Sequence, residues 1–451
     1  CVCVFGAGMG GGRHGFALGL GIVLVLTCCW VQGGLASSSL LEVFAVPHTH
    51  LDPGWLNTFE GYYRKEVSQI LKNVLDCLRQ NKDRKFSWAE TSFFERWYEE
   101  ASADDRAFMQ ELVADGRWEF VGGGWVQHDE GLVDYTGVVE QMTEGHEYLR
   151  SKLGAHVTVG WQIDPFGHSA ESASLHARAG MLALVINRVH HTIKQSMHSS
   201  KSLEFMWKPD GSQSRGILTH TLHTHYSSPR GFDFEEGSPA VGPHNVQSRA
   251  AELVRVLKER SRAYRTNKMM VPFGDDFKFI RALTQFSSLD VLFDYINKNS
   301  DSLGVTIKYA TPSEYFEALR GDEDARFPEF LGDFMPYADN EDSYWTGFLT
   351  THPFLKRHVR VTQNHIRTAE ALFAGALVSG YDTLLKRQQL HALFRQLRRA
   401  RRFLAVVQHH DGITGTSKKP VMTDYFAMLR DANELSAAVS NELLALVQLP
   451  K

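Results

Sequence analysis

From Ser39 onward, short apolar runs alternate with longer stretches of helical period, and most runs stop at Gly, Pro or Asp. Val43–Val46, Lys85–Glu90, Trp118–Val121, Val157–Ile163, Leu182–Ile186, Met269–Phe273 and Val305–Ala310 read as strands, being too short for helices and mostly rich in β-branched or aromatic residues. Between them, Glu60–Gln80 places Tyr63, Val67, Ile70, Leu71, Val74 and Leu78 at helical spacing, and 93–112 and 138–153 also read as helices. This rhythm predicts an α/β domain over residues 40–350, mostly parallel and barrel-like, with about seven strands. In such sheets the functional loops leave the C-terminal ends of the strands.

The character changes near Pro353. Leu355–Val378, Tyr381–Val407 and Val421–Leu446 are long helical stretches joined by short links, which predicts a three-helix bundle over residues 351–449. Leu384, Leu390, Leu393, Phe394 and Leu397 form one apolar stripe, whereas Arg387, Arg395, Arg398, Arg399, Arg401 and Arg402 read as a solvated charged face. The segment from Ser227 to Gln247, rich in Gly, Pro and acid, reads as a long surface loop.

Polar residues gather at the strand ends. The first strand runs into His48, His50 and Asp52, spaced two apart, before the turn Pro53-Gly54. Period two puts all three on one face, and two imidazoles with a carboxylate make the first half of a divalent metal site. A polar strand end carrying surface histidines would look the same. Asp164 sits between an apolar strand and a Pro turn, which fixes its direction as a ligand or nucleophile requires; a helix N-cap is the plainer reading. Asp275 and Asp276 are like-charged neighbours, so one of them facing a cleft would carry a raised pKa and act as an acid. His409, His410 and Asp411 interrupt the helical region before a Gly- and Thr-rich turn, as a further ligand source or as a helix end favoured by the dipole.

A net charge of -4 and no basic stripe with interleaved aromatics argue against a nucleic-acid partner. Near the N-terminus, Arg13 and His14 precede an apolar core from Gly15 to Trp30 and then small residues. That layout predicts a signal peptide within residues 1–38, with an uncleaved membrane anchor over 15–32 as the alternative. Cys77 stands alone beyond this segment, so no disulfide is available in the folded part.

Together these motifs resemble those of the class II α-mannosidases, glycoside hydrolase family 38. The resemblance rests on His48 to Trp55, Glu119 to Trp125, Asp164 to Ser169, Gly274 to Phe277, Tyr337 to Asp339, Tyr344 to Gly347 and Gln408 to Thr416. It implies one Zn²⁺ per chain held by His50, Asp52, Asp164 and His410, with Asp164 as nucleophile and Asp276 as general acid and base of a retaining mechanism. It implies further that Trp55, Phe166, Arg188, Asp275, Trp345, His409 and Asp411 form the substrate shell, with Tyr226 as the tyrosine near the sugar. The implied substrate is a mannose-containing oligosaccharide or N-glycan, and the implied compartment is the lumen of the secretory pathway, Golgi or lysosome. The family's C-terminal β domains are expected to be absent beyond Lys451. Two other readings follow from the residues alone. His-x-His at a first strand end also opens amidohydrolase-like barrels, but these need later strand-end histidines that the chain does not supply cleanly. An inactive carbohydrate-binding fragment is the other.

Overall fold

The computed structural model describes residues 40–209, 211, 216–378 and 384–448, without the side chains of 384–386 and 446–448. The predicted targeting segment lies outside them. No described helix is long and apolar enough to cross a membrane.

Strand β1 (Leu41–Pro47) is buried on both faces, as strands of parallel sheets are. Val43 and Ala45 join one apolar core. Phe44 and Val46 join another, shared with Val159, Trp161, Ile163, Ala183, Val185, Leu218 and Met270. The remaining strands are β2 (Phe86–Trp88), β3 (Trp118–Phe120), β4 (Val159–Gln162), β5 (Ala183–Ile186), β6 (Glu204–Trp207), β7 (Ile217–Thr221), β8 (Lys268–Phe273), β9 (Val305–Tyr309) and β10 (Glu329–Phe330). Their ladders form three sheets, ordered β8-β1-β9, β10-β6-β7-β5-β4 and β2-β3. Every pair is parallel except β6 with β7. The fold is therefore α/β with parallel sheets, followed by a helical C-terminal region.

Register decides which strand ends meet. Pro47 lies opposite Phe273, so the loops after β1 and β8 leave side by side. There the His50 N–H donates to the Asp275 carbonyl at 3.1 Å, and the Phe277 N–H donates to the His50 carbonyl at 2.9 Å. Gln162 lies opposite Ile186, so Asp164 and Arg188 each stand two residues past the end of the β4–β5 ladder.

Several details depart from the sequence reading. The stretch expected as one helix over 93–112 is two, Thr91–Glu100 and Ala103–Ala114. Ser102 restarts it, its hydroxyl accepting from the Asp105 N–H. Strands β6, β7 and β10 were not foreseen. The 227–247 segment is pinned rather than loose: Phe232 and Phe234 are buried, and Gln285 bonds the backbone of both.

The helices Pro353–Val378, Leu384–Val407 and Lys419–Gln448 share a core of Ala369, Ala376, Leu390, Leu393, Leu397, Val439 and Leu443. Phe394, expected in the stripe, is 38% exposed. Part of the arginine run is a seam and not a solvated face. Arg398 and Arg402 each reach the Glu144 carboxylate at 3.3 Å, and Arg402 also meets Glu95 at 2.8 Å. Arg401 bridges Glu144 and Glu370. The pairs with Glu144 and Glu95 join the helical region to Thr91–Glu100 and Tyr135–Leu153, whose acids lie far away in sequence.

Candidate metal centre and its carboxylates

Four ligand atoms converge, one each from His50, Asp52, Asp164 and His410, all within 4.8 Å of one another and all on buried residues. His50 Nε2 stands 3.1 Å from Asp52 Oδ1 and 3.3 Å from Asp164 Oδ2. His410 Nε2 stands 3.0 Å from Asp164 Oδ2 and 3.5 Å from Asp52 Oδ1. Two of the four come from the first strand end and one from the fourth. The last comes from the turn between the second and third long helices, so the cluster ties the helical region to the sheets.

Local structure aims these groups. Gly54 follows Asp52 and Pro53 with φ +115°, and Tyr425 fills the space a Cβ would need. The Tyr425 hydroxyl donates to the carbonyls of Pro53 and Gly54 at 3.1 and 2.7 Å. Nδ1 of His410 donates to the Gln127 carbonyl at 2.8 Å, which leaves Nε2 free to face the carboxylates. The Gln127 amide lies 3.1 Å from Nδ1 of His50, donates to Glu90 at 2.6 Å and accepts from the Ile163 N–H at 3.0 Å. Sequence reasoning passed over Gln127 and Glu90. Neither lies in a patterned motif, and Gln127 meets His410 across a separation of 283 residues.

The electrostatics call for positive charge at the centre. Burial works against ionisation of Asp164, yet Arg188 and hydrogen bonds from His410 and His50 hold it well below the usual carboxylate range. Asp52 is likewise held low against burial by His50, His409 and His410. The carboxylates in turn draw protons onto the imidazoles: despite burial, His50 is raised strongly and His410 to about 10. A divalent cation meets the same demand. His409 agrees with that fit, since both of its ring nitrogens are buried without a hydrogen-bond partner, and Nε2 stands 3.4 Å from Asp52 and 3.6 Å from Asp411. The donor set of imidazole nitrogens and carboxylate oxygens suits such an ion.

The other expected site residues gather in two groups. Arg188 donates from Nε to the Asp164 carbonyl at 2.9 Å and to Oδ1 at 2.6 Å. Its guanidinium is walled by Trp345, Phe166 and Tyr337 at 4.8, 5.7 and 5.7 Å. Phe166 also meets the ring of His410 edge-on at 5.9 Å. In the second group, burial pushes Asp276 up to about 6, helped by the negative Asp52 and Asp164 and opposed by His50. Tyr226 donates its hydroxyl to Asp276 Oδ1 at 2.8 Å. Asp275 accepts the Asp276 N–H on Oδ1 at 3.0 Å, and Phe277 directly after it adopts φ +51°, a costly backbone for a bulky residue.

Trp55 is partly buried against the main core, its carbonyl bonded to the Lys418 N–H at 2.9 Å. The Asp411 carboxylate is capped by the Thr416 hydroxyl. His48 points elsewhere and donates to the Tyr226 carbonyl at 2.9 Å.

Comparison with known proteins bears on the chain as a whole. A model of the glycosyl hydrolases family 38 N-terminal domain matches residues 40–340, and one of the alpha mannosidase middle domain matches 343–446. Over 437 residues the chain is 38% identical to "Alpha-mannosidase 2x" of Mus musculus, covering 89% of this chain and 38% of that protein. It is 37% identical to "Alpha-mannosidase 2" of Homo sapiens over 85% of this chain and 37% of the relative. "Lysosomal alpha-mannosidase" of Dictyostelium discoideum is 34% identical over 90% of this chain and 41% of its own length. The chain thus spans about two fifths of these relatives. A crystal structure of an alpha-mannosidase from Enterococcus faecalis superposes with a TM-score of 0.72 at 18% identity, over 90% of this chain and 42% of that one, which establishes a shared fold.

Proposed function

Because this chain belongs to glycosyl hydrolase family 38, we propose that it hydrolyses α-mannosidic bonds with retention, through a mannosyl ester on Asp164. The observation that carries the proposal is the opposed state of two carboxyls. Asp164 is held ionised within the donor cluster, and Asp276 is shifted up to about 6, so one is ready to attack while the other takes up a proton as the pH falls toward 6.

In the first step Asp164 attacks the anomeric carbon as Asp276 gives its proton to the leaving oxygen. In the second, Asp276 takes a proton from water, which displaces the sugar from Asp164. Arg188 engages Oδ1 of Asp164 and leaves Oδ2 directed at the histidines. Tyr226 fixes the direction of the Asp276 carboxyl. The metal in this reading is a single Zn²⁺ on His50, Asp52, Asp164 and His410, a donor set of two nitrogens and two oxygens that suits it. Bound there, it supplies Lewis-acid contact to sugar hydroxyls and neutralises the buried negative charge. We assign Trp55, Phe166, Trp345, Asp275, His409 and Asp411 to the sugar-binding shell.

The same reading takes residues 40–350 as a barrel-like catalytic part and 351–449 as a three-helix bundle. Its substrate is a mannose-containing oligosaccharide or N-glycan, and its compartment is the lumen of the secretory pathway. The test is turnover of an aryl α-mannoside by the purified chain, with and without chelator, beside Asp164→Ala, with the anomer of the first product read by NMR. Equal rates for wild type and variant, or release of the inverted anomer, would overturn it. Bound zinc without turnover would favour an inactive fragment.

A further inference from the structure

The β4–β5 ladder ends at Gln162 and Ile186, yet Asp164 and Arg188 meet two residues further on, where no strand bonds fix their spacing. Side chains take over there. His168 is fully buried and accepts the Asn187 N–H on Nε2 at 3.3 Å. With Nε2 accepting, Nδ1 carries the proton and donates to Glu130 Oε1 at 3.0 Å. The Glu130 carboxylate, 2% exposed, accepts the Ser169 N–H at 2.7 Å and the Gln162 amide at 3.2 Å. Glu130 thus grips the loop that follows Asp164, and His168 passes that grip to Asn187.

Asn187 is held from its other side as well. Lys194, in the first turn of the helix His191–Ser200, donates to the Asn187 carbonyl at 2.9 Å, to Asn187 Oδ1 at 3.1 Å and to the Thr224 carbonyl at 2.9 Å. All three ammonium hydrogens are used and none meets a carboxylate. Two of them go to one residue, and that residue immediately precedes Arg188. Burial and the neighbouring Arg188 pull the Lys194 amine down to about 7, so hydrogen bonds to Asn187 and Thr224, and not an ion pair, hold it in place.

We propose that Glu130, His168 and Lys194 form a strut that holds the Asn187–Arg188 peptide so that Arg188 stays on Oδ1 of Asp164. They are positioning residues that act through Arg188, and the inference rests on the α-mannosidase reading given above. The reason such a strut matters is geometric. If Arg188 withdraws, Oδ1 of Asp164 loses its partner and the carboxylate is held through Oδ2 alone, by His410 and His50. A displacement near 1 Å at a reacting group costs on the order of 100-fold in rate.

The test uses the full chain and a double-mutant cycle. Lys194→Met removes the donors at a partly exposed position. Its expected effect is a kcat about 30-fold lower with KM within about 3-fold and zinc content unchanged. Glu130→Gln keeps most acceptors and is expected to lose about 5-fold. In an Arg188→Lys background, the loss caused by Lys194→Met should shrink below about 2-fold, because the strut has nothing left to position. Full persistence of the loss in that background, or no loss in either single variant, would overturn the proposal. A crystal structure of Lys194→Met supplies an arm independent of turnover: Arg188 withdrawn from Asp164 supports the strut, and Arg188 in place refutes it. Should the wild type turn over no α-mannoside, the function falls while this arm still decides the strut.

Discussion

Of the buried clusters that join histidine to carboxylate among the described residues, one in the core and one at the strand ends behave differently. In the core beside β6 and β7, Glu204 receives the Tyr315 hydroxyl and lies 3.3 Å from Nδ1 of His220, with Tyr264 stacked flat on the imidazole at 5.3 Å. Burial raises the Glu204 pKa, so this cluster moves toward neutrality. At the strand ends, burial is as complete, but Asp52 and Asp164 both stay ionised and the histidines around them are driven to bind protons. The difference lies in the number of carboxylates and in Arg188, not in depth. One carboxyl can become neutral; two carboxylates anchored by several donors keep a charge that an ion must meet.

The comparison is broken or sharpened most strongly by removing one carboxyl from each cluster. Asp164→Ala should cut kcat/KM on an aryl α-mannoside by about 10⁴-fold or more, whereas Glu204→Gln should leave it within about 2-fold and cost about 1–3 kcal/mol of stability. A comparable activity loss from both would erase the distinction. Metal removal comes next. Zinc at a thousandfold its Kd stabilises a site that exists only when folded by about 4 kcal/mol. Chelation should therefore lower Tm and abolish turnover in the wild type and in His220→Phe, while leaving the Tm of His50→Ala unmoved.

Acid tests a third kind of buried histidine. Burial lowers His48 to about 4 and His128 to about 3, so both stay neutral in the fold. An unfolded histidine takes up its proton near pH 6.5. Between about 6.5 and 4 the unfolded chain therefore binds more protons, and stability falls as pH falls through that window, by up to about 1.4 kcal/mol per unit per histidine. Urea unfolding at pH 7 and pH 5 reads this, and His128→Gln should reduce the slope. The smallest effect is expected from Tyr226→Phe. Its hydroxyl favours ionised Asp276, so its loss raises that pKa further and moves the basic limb of the rate profile up by less than about one unit. A downward move would contradict the acid assignment.

The four residues of the candidate metal centre were legible in the sequence because each sits near the abrupt end of an apolar run or helix, where composition and spacing carry information. What supports them was not. Gln127 orients two histidines through its carbonyl and amide, and nothing near it in the chain announces partners so distant. Strands β6 and β7 escaped notice since they are only 4 and 5 residues long and bury Glu204 and His220, which reads as polarity rather than as core. The arginine run was misjudged for a related reason. Charge in sequence suggests water, while Glu144 and Glu95, which receive it, come from helices some 250 to 310 positions earlier.

That His410 arrives from the helical region has a consequence in time. Asp164 and His410 are 246 residues apart in the chain. At a synthesis rate of about 5–20 residues per second, Asp164 emerges some 12–50 seconds before its last partner exists. Arg188, only 24 positions behind, follows it within about 1–5 seconds at the same rate.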